Sequence, residues 1–126
     1  MKETDLFFPV RDYLMALGYD VQGEILAADI FAKKEDDIII VELKLTISLK
    51  LIYQALERKK ITDHVYIATP LSIAKSHHRN NPQFYDLLKR LGVGLLAVNN
   101  QQVTCLLASD HSEPMKKKYQ KKKLLI

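Results

Sequence analysis

The chain has 126 residues, of which 48% are apolar and 27% charged, and its formal net charge is +4. That length suits one domain around one core, and no apolar run approaches the ~20 residues of a membrane-spanning helix. The net charge does not make the body a basic platform for nucleic acid: residues 111–126 hold six Lys and one Glu, a formal +5, whereas residues 1–110 hold thirteen basic and fourteen acidic residues, a formal −1. Any contact with a phosphate backbone in that body must therefore be local.

Glu3 and Asp5 spoil a signal-peptide reading of the N-terminus, so a soluble, cytoplasmic protein without a membrane partner is expected. The lone Cys105 cannot form an internal disulfide and reads as a small buried hydrophobe.

Thr4 or Asp5 can cap a helix to about Leu17, with Leu6, Val10, Tyr13, Leu14 and Leu17 at helical spacing and Pro9 near its first turns. Gly18 is the natural stop. Tyr19-Asp20-Val21-Gln22-Gly23 alternates and reads as a strand, and a short connection through Glu24 leads to the next.

Asp29 to Lys44 reads as a β-hairpin. Its second arm, Ile38-Ile39-Ile40-Val41, is β-branched at consecutive positions, the pattern of a strand covered on both faces at the centre of a sheet. Parity places Glu42 and Lys44 on one face. If the turn lies at Glu35-Asp36 and no bulge intervenes, Asp29 falls directly opposite Glu42. Two carboxylates so placed repel unless a positive charge joins them. A hard cation such as Mg²⁺ or Mn²⁺ answers that need, because it takes carboxylate, carbonyl and water oxygens and often only one or two protein carboxylates. Asp29, Glu42 and the backbone carbonyl of Leu43 are the candidate ligands. Lys44 beside them can orient a water and stabilise charge on a phosphate.

Ser48 then caps a helix to about Lys60, with Leu49, Ile52, Tyr53 and Leu56 as the expected apolar stripe and Gln54 and Arg58 sharing another face. Val65-Tyr66-Ile67-Ala68 is a short strand expected beside the Glu42 strand after a crossover. Residues 76–81 read as a polar surface loop, and its His77-His78 pair lacks the second ligand pair of a zinc site. Pro82 opens a helix to Leu91, closed by Gly92, and Gly94 to Val98 is a buried strand. Asn99-Asn100 turns the chain into the last arm, Gln102 to Leu107. The expected order is αβββαβαββ, an α/β fold with a mixed β-sheet flanked by helices. Residues 1–110 form the domain; residues 111–126 are a basic tail whose apolar end suggests the start of a truncated C-terminal segment.

Asp29, followed thirteen residues later by Glu42-Leu43-Lys44 across a hairpin, resembles the PD-(D/E)XK signature of the restriction-endonuclease-like nucleases, with Ala28 in place of the usual proline. The resemblance covers about residues 5 to 107. Archaeal Holliday junction resolvases are similar in their Gly-Tyr, Asp-Ile-Phe-Ala and Glu-X-Lys order. A bacterial group of PD-(D/E)XK-like phosphodiesterases is more similar still, at Gly23-Glu24, Asp29, Val41 to Lys44, Gln54, Arg58 and Val65-Tyr66. It implies a metal-dependent nuclease acting on nucleic acid, DNA first, and compatible with a homodimer. Asp29, Glu42 and the Leu43 carbonyl would hold Mg²⁺ or Mn²⁺, Lys44 would assist the water, and Gln54 and Glu24 would line the site. Arg58, Lys50, Lys75 and Arg79 are the candidate phosphate contacts. The alternative is a catalytically quiet nucleic-acid-binding or scaffold module on the same fold.

Overall fold

Asp37–Leu43, the β-branched arm of the hairpin, lies inside a six-stranded sheet in the computed structural model, which describes residues 2–22 and 29–109. The elements in chain order are α1 (Thr4–Ala16), β1 (Asp20–Gln22), β2 (Asp29–Lys34), β3 (Asp37–Leu43), α2 (Leu49–Arg58), β4 (His64–Pro70), α3 (Leu71–Asn80), α4 (Gln83–Leu91), β5 (Val93–Asn99) and β6 (Gln102–Leu107). The strands stand in the sheet in sequence order. The β3–β4 and β4–β5 pairs are parallel and the outer pairs antiparallel, so the fold is α/β with a mixed, open sheet flanked by helices. No helix among the described residues is long and apolar enough to cross a membrane. The basic tail and Glu24 lie outside the described residues.

Strand alternation divides the core between the two faces. On one, Leu6, Val10 and Leu14 of α1 pack against Ile30, Val41, Leu43, Ala68 and Leu96. On the other, Leu51, Ile52 and Ala55 of α2, Ala74 of α3 and Leu88 of α4 cover Val65, Ile67 and Leu95. The hairpin turns at Glu35, which adopts φ +56°, and pairs Lys34 with Asp37. Gly18 stops the first helix at φ +94°, and Lys34 Nζ donates to the Leu17 carbonyl at 3.0 Å, satisfying an acceptor that the helix end leaves open.

Three local expectations are corrected. Residues 76–80 are the end of a helix rather than a loop, because α3 runs to Asn80, and the element order gains a helix. His77 packs on Phe84 and His78 on Tyr85, with ring centroids 4.4 and 4.2 Å apart, so the pair faces α4 aromatics. The buried stripe of α2 is Leu51, Ile52 and Ala55, and Leu49 and Tyr53 are exposed. The buried face of α2 lies one position earlier than the apolar spacing suggests, which turns Arg58, seven residues after Leu51, toward the protein. Cys105 is exposed. It lies on β6, whose register with β5 shifts between Leu95 and Leu96 and which is an edge strand among the described residues.

Candidate functional site

The hairpin carries its two acids at the end away from its turn. Asp29, the first residue of β2, is in register with Glu42, the penultimate residue of β3, as parity and the turn position predict. Lys44 N donates to Ala68 O at 3.0 Å, so even-numbered backbone groups of β3 face β4. The Asp29–Glu42 pair is therefore of the non-hydrogen-bonded kind, in which opposed side chains stand closest. The Leu43 backbone groups face β2, on the side that carries Asp29.

Glu42 is only 4% exposed. Its carboxyl is pushed above the usual glutamate range, by burial first and by Asp29 as well; the hydrogen bond and charge of Arg58, and the charge of Lys44, oppose that shift. The third member of the cluster comes from the last turn of α2. Arg58 Nε donates to Glu42 Oε1 at 2.9 Å and Arg58 Nη2 donates to Asp29 Oδ2 at 2.8 Å. One planar guanidinium thus bridges both acids, a geometry that lysine cannot match. The side chains of Glu42 and Asp29 are 5% and 16% exposed and that of Arg58 is 38% exposed, so the cluster is closed below by the sheet and open beside the arginine. Arg58 is pushed up from its already high value, chiefly by the Glu42 hydrogen bond. The two partners respond to different surroundings: burial dominates at Glu42, whereas Arg58 gains from the pair while touching solvent.

Lys44, half-buried, follows the end of β3, and parity keeps it on the Glu42 side. Its ammonium makes no hydrogen bond or ion pair among the described residues. Ser48 caps α2, its hydroxyl accepting from Leu51 N at 3.2 Å. Gln54 lies one turn before Arg58, half-buried, and makes no hydrogen bond to the acids among the described residues; the α2 residue that does is Arg58, a candidate phosphate contact from the sequence that shares the Gln54 face. The signal for it was present in the i, i+3 spacing from Ala55, a buried residue of that helix. Lys50 is exposed at the opposite end of α2, about 12 Å along the axis from Arg58. Lys75 lines a cavity of about 290 Å³ with Pro70, Ser72, Asn99 and Asn100, and Arg79 is exposed near the end of α3. These three basic residues are not joined to the acids.

Thr69 was passed over in the sequence. Ile67 is in register with Glu42, so Thr69 stands two residues further on the same face, at the end of the neighbouring strand. It is fully buried and its hydroxyl has no hydrogen-bond partner among the described residues. A larger cavity, of about 580 Å³, runs between the start of α2 and α4, lined by Leu49, Ile52, Phe84 and Leu87; it contains none of the three charged residues of the cluster.

Among the described residues no three His, Cys, Asp or Glu side chains converge on a metal position. The acid pair nevertheless suits a hard divalent cation that keeps most of its waters. Asp29 Oδ1 and Glu42 Oε2 accept no hydrogen bond among the described residues, and a buried carboxylate held above its usual range is one that positive charge would stabilise. No protein-family model matches the chain, and no curated protein matches it.

Proposed function

We propose that the protein is a Mg²⁺- or Mn²⁺-dependent phosphodiesterase on a restriction-endonuclease-like core, hydrolysing nucleic acid, DNA in the first place. The observation that carries this reading is the register of Asp29 with Glu42 at the C-terminal end of β3, with Lys44 two residues on along the same face. That end of a parallel strand pair is where open α/β sheets bind ligands. Asp29, Glu42 and the Leu43 carbonyl would hold the cation. When bound, it supplies charge stabilisation at the phosphate and an activated water. Lys44 orients that water and meets the negative charge that grows on the phosphate oxygens. Gln54 and Glu24 complete the lining in this reading, and Lys50, Lys75 and Arg79 meet the strand further out.

The bridging of both acids by Arg58 favours a second reading. A guanidinium that already neutralises the pair makes the cluster a structural ion-pair triad, and the protein a quiet nucleic-acid-binding or scaffold module on this fold.

Calorimetric titration of Mg²⁺ and Mn²⁺ into the wild type and Asp29→Ala, with a cleavage assay on plasmid, single-stranded and branched DNA, separates the two. The enzyme reading expects metal binding that Asp29→Ala abolishes and cutting that requires the metal. Absence of metal binding by the wild type, with and without DNA, would overturn it in favour of the binding module.

A further inference from the structure

Arg58 occupies the position between the carboxylates where a cation would bring its charge, and it does so from the open side of the cluster. The two acids stand on paired strands of the sheet, whereas Arg58 reaches them from the end of α2 by its own long side chain and two hydrogen bonds. Its 38% exposure contrasts with 5% for Glu42. The component free to move is thus the arginine.

Charge arithmetic gives that freedom a direction. Asp29 and Glu42 are formally balanced by Arg58 and Lys44. A divalent cation at the acids leaves both basic side chains in excess, and it repels a guanidinium a few ångströms away in a poorly screened setting. Two phosphodiesters of a nucleic acid strand would restore the balance, and a guanidinium binds a phosphate by the same two-pronged donor geometry that it shows here toward carboxylates.

Resting on the metal-dependent reading above, we propose that Arg58 is a transferable contact: it bridges Asp29 and Glu42 in the cation-free protein and passes to a phosphate of the bound strand when a divalent cation takes its place. Metal and nucleic acid then bind cooperatively, each relieving the conflict that the other creates, and the coupling is reciprocal. Arg58 is in this scheme a substrate-binding residue that also suppresses metal binding in the absence of substrate.

The test is Mn²⁺ calorimetry on the wild type, Arg58→Gln and Arg58→Lys, each alone and with a short single-stranded oligonucleotide at a temperature and time at which gel analysis shows it intact. Thermal melts in parallel confirm folding. The transfer scheme expects Arg58→Gln to bind Mn²⁺ about tenfold more tightly than the wild type in the absence of oligonucleotide, the factor of roughly one charge-assisted hydrogen bond. It expects the oligonucleotide to tighten Mn²⁺ binding by the wild type and not by Arg58→Gln. Arg58→Lys, which keeps the charge without the fork, falls between them and keeps the question answerable if the glutamine variant does not fold. Equal or weaker Mn²⁺ binding by a folded Arg58 variant would overturn the transfer while leaving the metal site standing. Absence of Mn²⁺ binding by the wild type and every variant would overturn both.

Discussion

Arg58 and Glu42 are sixteen residues apart in sequence and joined by a 2.9 Å hydrogen bond that carries charge on both sides. With Asp29 at 2.8 Å from the same guanidinium, the facing ends of β2 and β3 hold an acid pair that one helix residue bridges.

Removing the arginine alone leaves two facing carboxylates. Arg58→Ala is expected to cost about 1–3 kcal/mol in urea denaturation, less than the loss of a fully buried pair because one side is open to water. Glu42→Gln in the same background should recover part of that loss. A double-mutant cycle should then give a coupling of about 1–2 kcal/mol between the two positions, and additive losses would show that they do not interact.

Stability should vary with pH through Glu42. Its folded carboxyl titrates above the ordinary glutamate value of 4.5, so between the two values the native state holds a proton that the unfolded chain has lost. Stability from this residue is full below the unfolded value and falls as pH rises through the folded one. Melting temperatures taken from about pH 4 to about pH 8 should therefore show the wild type losing ground relative to Glu42→Gln. A constant difference would mean that Glu42 titrates normally.

Lys44 lies beside the acids without an ion-pair partner among the described residues. On the phosphodiesterase reading, Lys44→Met should lower the cleavage rate by about a hundredfold or more, the usual scale for a lost proton-transfer or charge-stabilising group. Metal affinity should be unchanged or slightly tighter, since one cation leaves the neighbourhood of Glu42. A parallel loss of metal binding and cleavage would instead make Lys44 a support for the acids.

Gly94 sits in register with Tyr66 across β4 and β5. A Cβ at this position would collide with the Tyr66 ring and lie 2.8 Å from Ser109 N. Because a ring and a backbone nitrogen both obstruct it, Gly94→Ala is expected to destabilise by about 1–3 kcal/mol, measurable in a urea titration. Tyr66→Ala in combination should return some of that loss.

Much of the site was legible in one dimension because strand geometry has a period of two. The turn at Glu35-Asp36 and the unbroken apolar arm Ile38 to Val41 determine the register, and the register brings Asp29 to Glu42 without reference to anything outside the hairpin. Gly18, Ser48 and Gly92 mark helix ends by equally local rules, with Gly92 at φ +72° after α4. The α/β class, the neighbouring parallel strand β4 and its place beside Glu42 followed from the same patterns.

Tertiary packing decided the rest. His77 and His78 read as loop residues until the rings of Phe84 and Tyr85 give them a surface to pack on, and a helix then becomes the compact way to present them. Cys105 reads as buried in any strand of mixed character, but among the described residues β6 is an edge strand of the sheet and Cys105 is exposed on it. The bridging role of Arg58 was hidden for a related reason. Sequence spacing places Gln54 and Arg58 on one helix face, but which of them reaches the acids depends on where the helix axis crosses the sheet. That crossing is set by Leu51, Ile52 and Ala55 packing against strands from distant parts of the chain, an agreement of shapes that no local period encodes.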